Sequence, residues 1–339
     1  MPEAKQHILY ISNDNNAQFK TVQSALCTAK QIRNQDKKSL ITLHIAKGLY
    51  EEIIDIDIEH IVIEGESTKK CRISAHRDAK EKMPDGKQRG TFQTATVSIN
   101  ASSVTLKNLT IENTAGNGKD HGQCIALSVN GDKATVINCQ IRANQDTLFT
   151  APLPPCDKNG GFEGLGPQGR EERKNNRQLF LQCTIEGNID FIFGGATALF
   201  RSCHIVVKDD GQQRETSGYI AAPCTPMQTT YGYLFLDCTI EGKVKDYSVA
   251  LARPWRVGAK AAFIGCTIQE RLLTETVFDD WNKEEAHHHT FFAIDTPYPH
   301  QATWTYQLGT EEAHTYCSGF FHSFSKEFPQ KWERDSILL

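Results

Sequence analysis

Three short segments hold residue types from which a reactive site can be built: Asn144-Gln145-Asp146-Thr147-Leu148-Phe149, Gly187-Asn188-Ile189-Asp190-Phe191-Ile192-Phe193-Gly194-Gly195, and Leu251-Ala252-Arg253-Pro254-Trp255. Together they supply two carboxylates, an amide, a guanidinium and an indole. Asp146 is followed by Leu148 and Phe149, and Asp190 stands among Ile189, Phe191 and Phe193, where a solvated surface aspartate has little reason to be. Carboxylates in apolar company acquire the shifted proton affinity that general acid/base or nucleophilic chemistry requires. Each residue also has a bland reading. An Asp after Gln can accept turn hydrogen bonds, an Arg-Asp pair can be structural, and Trp and Phe are more often core than binding platform. What favours chemistry is that the three segments fall into one repeating frame.

That frame is written by the cysteines. An apolar residue, two variable positions, Cys or Leu, one variable position and Ile recur as Leu106/Leu109/Ile111, Val136/Cys139/Ile141, Phe180/Cys183/Ile185, Phe200/Cys203/Ile205, Phe235/Cys238/Ile240 and Phe263/Cys266/Ile268. Each unit reads as a short strand with inward period-two residues that neighbours must stack upon to bury, which a parallel β-solenoid satisfies. A sandwich of hairpins would want Asn-Gly or Asp-Gly turns between paired runs, and Asn130-Gly131-Asp132 is one local hairpin or corner of that kind. Phe19, Val22, Ala25, Leu26, Ala29 and Ile32 have helical spacing, which predicts a capping helix over about residues 18–33 at the open end of the solenoid.

Repeat phase turns sequence into geometry. Asp146 lies seven residues after Cys139, and Asp190 seven after Cys183, so equivalent coils bring the two carboxylates about one strand spacing, ~4.8 Å, apart. Two such groups cannot both ionise easily, so an acid and a base coexist at neutral pH. Asp210 has the same offset from Cys203, but its setting, Lys208-Asp209-Asp210-Gly211-Gln212, reads as an ordinary charged turn.

Composition excludes other classes. With 339 residues the chain suggests about two domains on length alone, unless it is a repeat architecture. The formal net charge of -4 offers no polybasic patch for nucleic acid. No apolar run approaches the ~20 residues that span a bilayer, and the polar start, Met1 to Phe19, shows neither anchor nor leader. Eleven cysteines, mostly inside strand-like segments, read as free buried thiols. Gly164-Leu165-Gly166-Pro167-Gln168-Gly169 matches a dinucleotide fingerprint by letters only, since no strand precedes it and no helix follows. His287-His288-His289 reads as a polar loop rather than a metal site, and no metal or cofactor is expected.

With these residues in view, the chain resembles the pectin methylesterases (pectinesterases), and is placed in their bacterial branch. The resemblance runs from Ala17-Gln18-Phe19-Lys20-Thr21-Val22-Gln23 to Asp280-Trp281, with markers at Asn113-Thr114-Ala115-Gly116, Gln123-Cys124-Ile125-Ala126-Leu127, Gln145-Asp146-Thr147-Leu148, Ile189-Asp190-Phe191-Ile192-Phe193-Gly194 and Arg253-Pro254-Trp255. It implies an all-β, right-handed parallel β-helix in a single catalytic domain over residues 1–339, and hydrolysis of the galacturonate methyl ester in pectin or methylated oligogalacturonides. It further implies that Asp190 is the nucleophile and Asp146 the general acid and then base. Gln123 and Gln145 become oxyanion donors, Arg253 the partner of Asp190, and Trp255, Phe149 and Phe193 the sugar subsites. Alternatives are another β-helix pectin enzyme, a polygalacturonase or lyase, and an inactive carbohydrate-binding homologue, which is expected to lack one of the Asp residues or the Arg.

Ala252, Asn144 and Gly195 depart from the family pattern without removing a reactive atom, so the departures bear on subsite shape. The segment of about residues 151–177, rich in Pro and Gly and then charged as Arg170-Glu171-Glu172-Arg173-Lys174, is expected beside the cleft, favouring oligomers over long polymer. The thiols favour a reducing interior, so the expectation is a monomeric bacterial cytoplasmic enzyme, with an exported protein as the alternative.

Overall fold

Period-two burial governs the chain almost from its start: Ile41, Leu43 and Ile45 are buried while Leu40 is exposed, and Ile61 and Ile63 repeat the alternation. The computed structural model describes residues 4–162, 165, 174–298 and 302–325. Among the described residues the chain winds repeatedly through three sheets of 11, 8 and 7 strands, and between Gly48–Glu51 and Phe291–Ile294 sequential strands belong to different sheets. Every pairing between these strands is parallel, as in the coil Ala134–Ile137, Gln140–Arg142 and Leu148–Thr150, whose strands pair in step with Arg177–Leu181, Thr184–Gly187 and Ile189–Gly194. This is a parallel β-helix.

The six sequence units are its rungs. Leu106, Val136, Phe180, Phe200, Phe235 and Phe263 occupy one register column of the 11-stranded sheet. Ile111, Ile141, Ile185, Ile205, Ile240 and Ile268 form the matching column of the 8-stranded sheet. The four phenylalanines stack face to face at 4.7, 4.6 and 4.4 Å between ring centroids. Cysteine recurs at the corner because a thiol is small enough to bury and can still donate weakly. Cys183, Cys203, Cys238 and Cys266 each place Sγ at 3.3–3.5 Å from a carbonyl of the preceding coil. The residue before each of these cysteines is left-handed, as are Asn108 and Asn138, and the side-chain amide of Asn138 donates to Asn108 at 2.7 Å.

The predicted cap is the helix Val22–Gln35, shorter at its N-terminus than its periodicity indicates. Thr21 accepts from the Ser24 amide, and Glu52 accepts from the Val22 and Gln23 amides, so the helix starts there and Phe19 remains outside as a bridge partner of Ile11. Val22, Ala25, Leu26 and Ala29 are buried against the first coils. The C-terminal helix of the described residues, Thr310–Ser325, carried no repeat signal. Its Ala313, Phe320 and Phe324 cover the outer residues Leu179, Leu199, Leu234 and Ala262 of the 11-stranded sheet. Asn130-Gly131-Asp132 proves to be a corner between two sheets rather than a hairpin, since the strands flanking it belong to different sheets.

Candidate active site

The corner leading into the 7-stranded sheet positions the reactive groups. Leu148 pairs with Ile192 and Phe149 with Phe193, so Asp146 and Asp190, two residues before Leu148 and Ile192, occupy equivalent points of adjacent coils. Both have left-handed backbones, φ 61° and 50°. Such conformations are sparsely populated by residues other than glycine and concentrate at functional sites. At Asp190 a β-bulge supplies a further cause, because the register with the next strand slips between Ile189 and Ile192. A bulge re-aims the side chain it displaces.

Backbone bonds fasten these rungs together. The Asp146 amide donates to the Ile189 carbonyl at 3.0 Å, and the Cys124 amide to the Gln145 carbonyl at 3.0 Å, which sets Gln123 beside Gln145. The segment carrying Gln123 is anchored by Asn113, whose buried amide nitrogen donates to the carbonyls of Arg77, Thr94 and Ile125 at 2.9–3.0 Å. The Asn113 marker is therefore a tie that holds the wall of the site.

Arg253 closes the arrangement. Its Nε donates to Asp190 Oδ1 and its Nη2 to Oδ2, each at 2.7 Å, a two-pronged clamp on both carboxylate oxygens. The guanidinium lies between two rings, 3.7 Å from the Tyr219 centroid and 3.8 Å from that of Trp281. Burial alone would lower the Arg253 pKa; the bonds and charge of Asp190 outweigh it and raise it. Asp146 differs. Burial, reinforced by the neighbouring Asp190 charge, pushes its carboxyl well above the usual carboxylate range, against the opposing pull of Arg253 and the Gln145 hydrogen bond. One carboxyl is thus held as an acid while the other is locked and oriented by a cation.

All of this faces a cleft of about 780 Å³ lined by Gln123, Gln145, Asp146, Asp190, Arg253 and Trp255, with Phe193 on its apolar side. Trp255 meets Phe193 edge to face at 5.7 Å and runs nearly parallel to Phe92 at 6.5 Å. Phe149 corrects the sequence reading. It is fully buried beneath Phe92 and Phe193, at 5.2 and 5.1 Å, and does not line the cleft, because its neighbours cover the face it would offer to a sugar.

Several lining residues gave no signal in the repeat: Phe92, Arg256, Trp281 and Lys283 come from loops between rungs. Only their adjacency to Arg253-Pro254-Trp255 and to Asp280 could have indicated Arg256 and Trp281. Lys283 donates to the carbonyls of Pro254 and Trp255 and lies 4.1 Å from the Trp281 ring centroid; burial and the nearby Arg256 and Arg253 charges bring its pKa down to about 8. Asp157, Lys158, Asn159 and Leu165 of the inserted segment line the cleft, while residues 163–164 and 166–173, with most of the Gly-rich fingerprint and the Arg170–Arg173 charges, lie outside the described residues. Gly195 suits that insertion, since a Cβ there would come within 2.6 Å of the Pro152 carbonyl.

Asp210 is not part of the site. Residues 208–217 form a loop before the next strand, Gly218–Pro223, so the seven-residue offset no longer lands on the same corner, and Asp210 pairs instead with Arg214 at 3.3 Å. His287 is also structural, paired with Asp280 at 3.0 Å and stacked on Trp304. No group of three metal-ligating side chains occurs among the described residues.

Comparison with known proteins follows the same outline. The profile of the Pectinesterase family matches residues 8–153 and 171–297. The chain is 31% identical over 256 residues to the probable pectinesterase/pectinesterase inhibitor 21 of Arabidopsis thaliana, covering 73% of this chain and 33% of that protein. It is 28% identical to a pectinesterase of Petunia integrifolia, over 85% of this chain and 68% of the relative. The chain therefore spans about one third of the first of these relatives and about two thirds of the second. The solved structure of a carrot pectin methylesterase superposes with a TM-score of 0.76 at 22% identity, covering 94% of both chains. These three are plant proteins, while a pectin methylesterase structure from Yersinia enterocolitica also superposes, with a TM-score of 0.70 at 25% identity over 88% of this chain and 97% of that one, so the comparisons single out neither branch.

Proposed function

The chain belongs to the pectinesterase family, and from that premise we propose that it hydrolyses the methyl ester of galacturonate units in pectin or methylated oligogalacturonides, releasing methanol. The observation that carries the proposal is the pairing of a buried Asp146, its carboxyl pushed well above the usual range by burial, with an Arg253-clamped Asp190 on adjacent rungs at the floor of one cleft. In this reading an Asp190 oxygen attacks the ester carbonyl carbon, and the carbonyl electrons move to an oxyanion that accepts hydrogen bonds from the Gln123 and Gln145 amides. As the carbon–oxygen bond to the methoxy group breaks, Asp146 donates its proton and methanol leaves. Asp146, now a carboxylate, takes a proton from water; the hydroxide equivalent attacks the acyl-Asp190 anhydride, freeing the galacturonate acid and restoring both aspartates. Trp255 and Phe193 supply the apolar wall for the sugar ring.

Both Asp residues and the Arg are present, which supports an active enzyme over a silent carbohydrate-binding homologue. Methanol release without new reducing ends or unsaturated products separates this chemistry from glycoside hydrolysis or elimination. Methanol from the wild type that vanishes in Asp190→Ala supports the proposal; no methanol from polymeric or oligomeric methylated substrate overturns it.

One catalytic unit acting as a monomer completes the reading, and a dimeric elution volume would overturn that part. The cleft position of Asp157, Lys158 and Asn159 supports a preference for oligomers, and equal rates per ester on hexamer and polymer would count against it. No described helix is long and apolar enough to cross a membrane. The cytoplasmic placement rests on thiols such as Cys139, Cys183 and Cys203, which are free but buried, so burial shields them from oxidant in either compartment and the exported alternative stands beside it. Fractionation of the native host decides between them.

A further inference from the structure

A second groove, of about 690 Å³, crosses the outer face of the 11-stranded sheet near its N-terminal end. Its floor follows one register column, Ile8, Thr42, Val62 and Thr105, on neighbouring strands. Among the described residues Arg33, Lys37, Lys38, His60 and Lys133 line it and no Asp or Glu does, although the chain as a whole carries more acidic residues than basic. Two acids adjoin it in sequence: Asp36 accepts from the Lys38 amide and the Ser39 hydroxyl at the rim, and Asp132 pairs with Arg177. Lys37, Lys38 and Lys133 enter no ion pair among the described residues. The rim is also built rather than loose. Arg33 donates to the carbonyls of Lys37 and His60, tying the lysine loop to the sheet corner, and His60 and Lys133 occupy left-handed corners on the same edge at φ 55° and 58°.

We propose that this groove is a second binding site for an acidic polysaccharide, a polyuronate strand held by its carboxylates along the lysine rim with its sugar faces on Ile8, Leu40 and Val62. The inference rests on the pectinesterase reading, since that reading makes the substrate a polymer bearing one carboxylate or ester on each sugar. Single exposed ion pairs contribute little, about 0–1 kcal/mol. A row of unneutralised cations aligned with a regular polyanion acts collectively, and attracts it most at low salt. A polymer long enough to reach both sites makes its second contact at high effective concentration.

The test is affinity electrophoresis of the whole chain through gels containing polygalacturonate, with the cleft left intact in every form so that only the lysine rim differs. Lys37→Glu, Lys38→Glu and Lys133→Glu combined should weaken retardation about tenfold, with the corresponding Gln variant intermediate. Methanol release from a short methylated oligomer should be unchanged. Retardation of the triple variant equal to wild type overturns the proposal, as does equal retardation by dextran sulfate, which would mark an unselective cation surface. Because binding is read without catalysis, a failure of every form to release methanol would sink the esterase reading while leaving the groove's result intact.

Discussion

Asp146 and Asp190 are register-equivalent residues of consecutive coils, both left-handed, yet only Asp190 is clamped by Arg253 through both oxygens. The repeat makes them neighbours, and Arg253 makes them different. If their roles divide as proposed, Asp190→Asn should remove activity by at least about 10⁴-fold on any ester. Asp146→Asn should cost about 10²- to 10⁴-fold on the methyl ester, and its acylation step should recover on an aryl ester whose leaving group needs no proton. A burst of phenol from Asp190→Asn, or none from Asp146→Asn, would reverse the assignment.

The clamp is both chemical and structural. Arg253→Lys keeps the charge but loses the planar fork held between Tyr219 and Trp281, and a fall in kcat of roughly 10²-fold is expected from misplacement of Asp190. Arg253→Leu leaves a buried carboxylate without its partner and should destabilise the fold by about 3–5 kcal/mol. Urea denaturation of the two variants beside kinetics separates the effects, and equal stability in both would refute the structural half.

Removing a single oxyanion donor lowers kcat by about 10²- to 10³-fold. Gln123→Ala and Gln145→Ala should each fall in this range with KM nearly unchanged, because the bond strengthens only as charge develops. A rise in KM at constant kcat would recast either amide as a ground-state contact.

The Asp146 shift sets a pH dependence. Its folded pKa lies above the unfolded value, so the folded chain holds a proton that the unfolded chain releases. Stability from this group is full below the unfolded carboxylate pKa of about 4 and is lost as pH rises through the folded value. Asp146→Asn removes that loss, so the stability gap in favour of the variant should widen from about pH 4 upward until the folded pKa is passed. Urea midpoints that track in parallel across this window would contradict it. Acylation of the wild type should decline over the same upper range as the acid deprotonates.

Phe149 and Phe193 are adjacent in register but not in role. Phe193→Ala should raise KM for methylated oligomers, since its ring lines the cleft. Phe149→Leu should lower the melting temperature while leaving KM close to wild type, because the ring is sealed beneath Phe92 and Phe193. A KM effect at Phe149 comparable to that at Phe193 would show that the floor opens.

Read alone, the sequence determined the solenoid, because burial of a period-two strand leaves a mark at every coil: the Phe, Cys and Ile columns fall in register as their spacing requires. It also determined that Asp146 and Asp190 meet, since both lie at a fixed distance from column residues with no loop between. Asp210 shares the offset but not the role, as its charged-turn setting indicated, because residues 208–217 intervene before the next strand. Only the tertiary structure decided which aromatic faces the cleft, because alternation assigns a residue to the outer side of a sheet without saying what covers that side. It alone brought in Phe92, Tyr219, Trp281 and Lys283, contributed by strands and loops whose approach to Arg253-Pro254-Trp255 depends on the stacking of coils far apart in the chain. The covering of the outer sheet by Thr310–Ser325 was likewise settled in three dimensions, since a helix docked on one face has no periodic partner to announce it.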